Sequence, residues 1–475
     1  MKTVSSIFVR LAFLVGIGAV WGCGHHSASQ LPAVLPPTLI VPPQTPPAPV
    51  ATNNPPAGSP LVDCGLFRGQ SESTESITTV GLTEGVDPTH APYPTNESER
   101  LLFRQVYETL VRADCQGHAA PGLADSWRLN ANGDAWIVTL RPNARFSDNR
   151  AVTAMDVVSS WMEAGVGAGN ERELRKEVRR LVRSVAVVDD RTLEIALQSH
   201  RDDAVLALAH TDLAIATPIP GLPGSPWPMG TRAARVESDG SSVITISGLS
   251  GNSSIRFLIN RASDSRDLLD RGVDLLLTRD PRTVGYAATL TQFQIAALPW
   301  QRTHVLIAPK RIPAPSFSAD DRRALARDAV RGEARGADGP YWWESLSDCD
   351  VDSPQAPPAP PSTTSRIVYN SDDSAARELA ERLVGIGKYP RASGLTSDAL
   401  AQALRRGNES AYILSLDRHP LDSCREIEVL MNSAGWLDPH SIVPLVDTRL
   451  QAIVRRGRSG LTAEWDGSLL LELRN

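Results

Sequence analysis

The chain has 475 residues, with 48 Lys and Arg against 54 Asp and Glu, a formal charge of −6 and a pI near 5.9. It carries none of the surplus positive charge that a phosphate backbone requires, which argues against nucleic acid as a partner. Beyond the first two dozen residues no apolar run approaches the roughly 20 residues needed to span a bilayer, so a polytopic membrane protein is excluded.

Lys2 and Arg10 supply a basic N-terminal region, and Leu11 to Trp21 form an apolar core too short for a stable spanning helix. Residues 1–22 therefore read as a signal peptide. The core runs into Val20-Trp21-Gly22-Cys23, which is similar to a lipobox, although Trp21 is bulkier than that pattern prefers. Cys23 is the expected lipidation site, and each acyl CH₂ buried in the membrane would contribute about 0.8 kcal/mol. Eleven prolines follow between Leu31 and Pro60, each fixing φ and removing a backbone donor. Residues 23–62 are thus a tether, and thirty residues of extended polyproline would reach on the order of 90 Å. His25-His26 within it is assigned no metal role.

In the body of the chain, Trp136 to Leu140 has the apolar content of a short strand, and Asn132-Gly133-Asp134 is the turn before it. Thr153 stands where an N-cap belongs ahead of a helix over Ala154 to Met162, with Asp156 in the first turn, where a carboxylate favours the positive end of the dipole. Asp148 and Asp156 are accordingly a turn residue and a helix-start residue rather than a catalytic pair. Asp189-Asp190 reads as a turn, followed by a strand in which Leu193, Ile195 and Leu197 alternate inward.

These pieces sit in a longer pattern. It runs from Asp87-Pro88 through Val106-Tyr107-Glu108-Thr109-Leu110-Val111 and Pro121-Gly122-Leu123-Ala124-Asp125-Ser126-Trp127. It continues with Leu140-Arg141-Pro142, Arg145-Phe146-Ser147-Asp148 and Thr153-Ala154-Met155-Asp156-Val157-Val158. In order and spacing it resembles bacterial extracellular solute-binding protein family 5, the peptide- and nickel-binding lipoproteins that feed ABC importers. Fainter likenesses follow: Ile255 to Ile259 with Leu268 to Leu275 as a strand, helix and strand crossing between lobes, and 320–330 as the helix opening the second lobe. Further on, Arg366 to Asn370, Ala375 to Val384 and Tyr412 to Ser415 form a β-α-β alternation, and 442–445 with 460–461 a return to the first lobe.

The resemblance implies an α/β, bilobed periplasmic-binding-protein-like fold of type II, cluster C, with mixed sheets in two lobes joined by hinge strands. Lobe I is expected over 63–118, 186–305 and 446–475, a small inserted subdomain over 119–185, and lobe II over 306–445 with a proline-rich insert at 350–364. With Cys23 lipidated, Cys64, Cys115, Cys349 and Cys424 permit two disulfides in one of three pairings. Under this fold Cys64–Cys115 and Cys349–Cys424 would each join segments of one domain.

Two departures bear on function. Family members usually carry Gly-Thr-Gly-Pro-Tyr/Phe near the hinge, whereas here Pro228-Met229-Gly230-Thr231 leads into Arg232-Ala233-Ala234. In peptide-binding members an aspartate in a segment resembling Asp-Tyr-Pro-Asp-Pro receives the ligand's amino terminus. This chain offers Leu416-Asp417-Arg418-His419-Pro420-Leu421-Asp422, so Asp422 or Asp417 would serve, Asp422 being preferred, with Arg418 able to cancel the charge. Adjacent Trp342 and Trp343 cannot both face one core in an extended segment, so one is a pocket-wall candidate, while Trp127 and Trp136 are assigned to the core. No Gly-x-Ser-x-Gly elbow, His-Glu-x-x-His or phosphate-binding glycine loop occurs, and no enzyme activity is expected. No cofactor or metal is expected either, since none of the nine histidines forms a spaced ligand pair. The expected protein is a lipid-anchored monomer of the periplasm or cell envelope. It would bind a peptide or other small polar solute and deliver it to ABC permease subunits, or serve as a degenerate sensor or envelope interaction protein.

Overall fold

A computed structural model of the chain describes residues 64–67, 75–162, 173–198, 204–220, 225–239, 242–249, 253–260, 264–309, 317–326, 334–335, 366–417, 430–431, 434–437 and 442–473. Three sheets organise them. The first has seven strands in the order Ala234–Asp239, Val243–Gly248, Ser254–Ile259, Thr79–Leu82, Leu275–Thr278, Gln451–Arg455 and Phe293–Ala297. Its centre is parallel, with Thr79–Leu82 between Ser254–Ile259 and Leu275–Thr278, and its flanks are antiparallel. Along Ser254–Ile259, Ile255, Phe257 and Ile259 are buried while Ser254 and Arg256 face out, the period-2 pattern of a strand with one face on the core.

One buried carboxylate ties this sheet together. Asp274 accepts hydrogen bonds from the Thr78 amide (2.9 Å), the Thr78 hydroxyl (2.8 Å), the Thr79 amide (3.0 Å) and Arg458 Nε (3.1 Å). Burial pushes its pKa up, but these donors and the Arg458 charge outweigh it, so the group is held ionised below the usual range.

The second sheet is antiparallel, in the order Ala124–Leu129, Trp136–Leu140, Thr192–Leu197 and Val182–Asp189. Trp127, Trp136 and Trp161 are buried in its core. The helix Ala154–Trp161 packs on it behind a capping box: Thr153 Oγ1 accepts from the Asp156 amide, and Asp156 Oδ2 accepts from the Thr153 amide (2.9 Å). Asp148 accepts from the Arg150 amide (2.9 Å), as a turn residue does.

The third sheet runs Ala334–Arg335, Ile442–Thr448, Arg302–Ile307, Ala411–Asp417, Ile367–Asn370, Ala392–Leu395. Its last three strands are parallel and are linked by the helices Ser374–Gly385 and Ser397–Arg406. The second β-α unit was not legible in the sequence, because Ala-Ser-Gly-Leu at 392–395 has almost no strand-forming bulk. Gly407 ends the second helix at φ +61°, and a Cβ there would stand 2.6 Å from Trp436 Nε1, which itself bonds the Leu404 carbonyl. Backbone and packing both require glycine at that position.

The chain passes from the first sheet to the third at 298–301 and returns at 449–450. The two passages lie side by side: Leu298 N donates to Leu450 O (3.0 Å), Gln301 N to Thr448 O (3.3 Å), and Leu450 N to Gln301 Oε1 (3.1 Å). The strand-helix-strand at 255–275, expected to cross between lobes, lies wholly within the first sheet. Likewise the expected boundaries at 185, 305 and 445 fall inside strands 182–189, 302–307 and 442–448. Hydrogen-bond partners, not composition, decide to which sheet a strand belongs.

The N- and C-terminal ends of the described body are fastened to each other. Gly65–Leu66 pairs with Leu461–Ala463, and a disulfide joins Cys64 to Cys115 with a Cα separation of 5.7 Å. Nearby, Glu464, 4% exposed, accepts from Arg104 Nε (2.7 Å), Arg104 Nη2 (2.8 Å) and Arg112 Nε (2.9 Å). Glu464→Ala would strand the buried Arg104 charge and is expected to cost about 3–5 kcal/mol of stability, read as a lowered urea midpoint. Breaking the 51-residue disulfide loop with Cys115→Ser is expected to cost about 2–4 kcal/mol in the same assay.

Candidate ligand cleft between the lobes

The segment 84–104 is folded around one buried acid. Glu99, 1% exposed, accepts from the Asp87 amide (3.0 Å), the Thr95 amide (2.8 Å) and the Thr95 hydroxyl (2.8 Å), and lies 2.8 Å from His90 Nδ1. Asp87 caps the short helical turn Pro88–His90, and Asn96 caps the helix Glu97–Phe103 by accepting from the Glu99 amide. The Asp-Pro signal in the sequence therefore fixes where the turn Pro88–His90 begins, and Asn96 fixes the start of the helix. Leu101, Leu102 and Phe103 go into the core, leaving Glu97 and Arg100 to face the third sheet.

There they meet charges from three other places in the chain. Arg279 follows the strand Leu275–Thr278, Arg302 starts the strand leaving the first crossing, and Asp417 ends the neighbouring strand, opposite Arg302 in register. Arg302 bridges both acids, with Nε 2.6 Å from Asp417 Oδ1 and Nη2 3.3 Å from Glu97 Oε1. Arg279 Nη2 donates to Glu97 Oε1 (3.0 Å), and Arg100 Nη2 reaches Asp417 Oδ2 at 3.5 Å. Burial pushes both carboxyls up, but the surrounding guanidiniums outweigh it: Asp417 and Glu97 are held below the ordinary carboxylate range.

Around this cluster opens a cleft of about 840 Å³, lined from both lobes and the subdomain. Its other lobe II wall is the start of the helix Ser374–Gly385, where Asp373 caps the Ala376 amide (3.0 Å) and lies 3.1 Å from His304 Nε2. His304 is fully buried and its Nδ1 has no partner. Burial raises the Asp373 pKa, yet His304 and Arg302 overcome it and hold the carboxyl well below the usual range. Among the described residues the arrangement offers charged and polar donors and acceptors. Among the described residues no group of three His, Cys, Asp or Glu is set to hold a metal ion.

Of the residues singled out from sequence, Asp417 lies in the cleft, and each of its oxygens is already within reach of an arginine. Arg302 and Arg100 are those arginines, and the adjacent Arg418 lies outside the described residues. Asp422, Trp342, Trp343, Cys23, Cys349 and Cys424 lie outside them as well. Sequence reasoning missed Glu97, Arg100, Arg279, Arg302 and Asp373. The signal available was local only: an i, i+3 charge pair in a capped first turn, and arginines at the ends of apolar strands.

Two lobes joined by paired crossing strands, with a polar cleft at the crossing, define a bilobed, periplasmic-binding-protein-like fold. Solved structures agree in fold. A dipeptide-binding protein from Pseudoalteromonas sp. SM9913 in complex with Met-Leu superposes with a TM-score of 0.60 at 12% identity, covering 82% of this chain and 98% of that one. The Escherichia coli murein tripeptide binding protein MppA gives 0.55 at 14%, covering 84% and 97%. Residues 118–239 match the family model described as "Bacterial extracellular solute-binding proteins, family 5 Middle". The periplasmic oligopeptide-binding protein OppA of E. coli is 33% identical over 114 residues, and the E. coli nickel-binding periplasmic protein 26% over 139. The aligned segments span 21% of this chain and 21% of OppA, and 29% of this chain and 26% of the nickel-binding protein. These likenesses, carried in sequence by residues 118–239 and the aligned segments, support a family 5 extracellular solute-binding protein.

The depressed carboxyls of Glu97, Asp417, Asp373 and Glu464 fix the sign of the pH dependence. Their protons are bound more tightly in the unfolded chain, so their stabilisation is fully present above the unfolded values near 4 and is lost as pH falls through and below them. Stability is expected to be flat from pH 7 to about 5 and to drop toward pH 3. Asp417→Asn should give a shallower drop in urea midpoint over that range.

Proposed function

We propose that this chain is a membrane-tethered, extracytoplasmic solute-binding protein that captures a peptide or similar polar solute between its lobes and delivers it to the permease subunits of an ABC importer. The observation that carries this reading is the cleft of about 840 Å³ at the two crossing strands, walled by both lobes. Bilobed binders work by closing two rigid bodies over a ligand while a few hinge residues absorb the φ/ψ change, and 298–301 with 449–450 are the residues placed to do so. No covalent chemistry is involved. The relatives with which the chain shares sequence are named as binding proteins of the periplasm, for oligopeptides in one case and nickel in another, which supports binding rather than catalysis. A peptide is favoured over nickel because the described cleft presents arginines and hydrogen-bonding groups rather than a ligand set for a cation. Cys23 and the proline-rich 23–62 would hold the body near the membrane, within reach of a permease.

Native mass spectrometry of the exported protein, before and after mild denaturation, tests the reading. A co-purifying mass released on unfolding is expected. Repeated absence of such a mass, with no thermal shift across a peptide and metal panel, would favour the degenerate sensor or envelope interaction protein. For the anchor, Cys23→Ser is expected to move the protein from the membrane to the soluble fraction, and retention of the variant on membranes would rule out lipid at that residue.

A further inference from the structure

The cluster on the cleft wall sets three guanidiniums against two directly contacting carboxylates, with Asp373 and Asp466 also favouring the charged forms of Arg302 and Arg100. Arg100, Arg279 and Arg302 face two carboxylates, Glu97 and Asp417. Each guanidinium has five N–H donors, yet the three together make four hydrogen bonds to these acids. Arg302 is well held at both ends. Arg100 is held more loosely: its contacts to Asp417 and Glu97 are 3.5 and 3.8 Å and its buried Nε makes no hydrogen bond, although Glu97, Asp417 and Asp466 together outweigh burial and push its pKa up. Arg279, 11% exposed, uses Nη2 on Glu97 and also leaves a buried Nε unbonded. Burial, and then repulsion from Arg302, lowers the Arg279 pKa in spite of the two acids, as expected of a cation lacking its counter-ion.

The remaining acids of the lining make no hydrogen bond to Arg100 or Arg279. Glu84 accepts the Ser98 amide (3.1 Å), and Asp280 caps the helix Pro281–Ala287 through the Arg282 and Thr283 amides. Asp373 is engaged by its own helix, by His304 and by the Arg302 charge, and Asp212 sits 3.6 Å from His210. Asp372 is exposed, and Arg180 adds a fourth guanidinium to the same lining. A buried cation without a matching anion is costly, whereas a planar guanidinium with free donors fits a carboxylate well.

We infer that the cleft anchors its solute by a carboxylate, or an equivalent singly charged oxyanion, between Arg100 and Arg279, and not by an ammonium group on Asp417. The inference rests on the solute-binding reading and narrows it to acidic solutes, among them peptides held by the carboxyl rather than the amino end. Asp417 then acts as the clamp that fixes Arg302, and the cleft selects for the acid.

Three synthetic tripeptide libraries decide the matter when offered to the exported protein and read by native mass spectrometry: N-acetylated free acids, C-terminal amides with free amines, and peptides blocked at both ends. Acetylated acids are expected to bind, with the amides and doubly blocked peptides at least tenfold weaker. Arg279→Gln should weaken the acids at least tenfold. Arg279→Lys, which keeps the charge and guards against misfolding, should recover part of that loss. Amides that bind as well as the acids, and are lost in Asp417→Asn, would overturn the inference and leave the solute-binding reading standing. Binding of none of the libraries would count against both.

Discussion

The hydrogen bonds that join the two crossing passages are the constraint on which the rest of the molecule depends. Leu298 with Leu450, and Gln301 with Thr448 and Leu450, hold the outgoing and returning strands as an antiparallel pair between the two large sheets. A single crossing would leave two tethered bodies free to twist. Two bonded passages restrict relative motion to a few dihedrals, which is what a hinge is. Arg302 is the first residue of the outgoing strand on the lobe II side, so the same element that defines the hinge places a charge at the mouth of the cleft.

From that pair the electrostatics follow. Lobe I brings Glu97, Arg100 and Arg279, and lobe II brings Arg302 and Asp417, so the ion pairs Glu97–Arg302 and Arg100–Asp417 run from one lobe to the other. Their side chains are 18–28% exposed, between the weak regime of surface pairs and the costly regime of full burial. Under the proposed function, a solute entering the cleft would meet groups that are already paired rather than a bare cavity. Differential contacts made with the lobes together are what allow a ligand to shift the balance between open and closed arrangements. The supporting structure is bonded more fully than the site: the Glu99 knot beneath the Glu97–Phe103 helix, the Asp274 anchor in the first sheet and the Arg104–Glu464 pair are all buried and multiply bonded.

Much of the scaffold was legible in the residues themselves. The strand at Trp136–Leu140, the Thr153 cap, the alternation of Leu193, Ile195 and Leu197 and the helix near 375–384 depend on neighbours two to four positions away, and the structure has them where the pattern places them. The sheet to which each strand belongs was less legible. The expected domain boundaries cut three strands because strand partnership is settled by segments a hundred or more residues distant, as Arg302–Ile307 with Ile442–Thr448 illustrates.

The sequence by itself determined the local order and the pattern between Asp87 and Val158, and it offered Asp417 as a ligand-site candidate beside the preferred Asp422. Only the tertiary structure decided what Asp417 touches. Arg302 is 115 positions away and Arg100 is 317, and nothing in local composition brings them together. Capping and periodicity are short-range effects written in adjacent residues. The balance of charge in a cleft is a sum over side chains delivered by separate strands and helices, and it exists only once the sheets have formed.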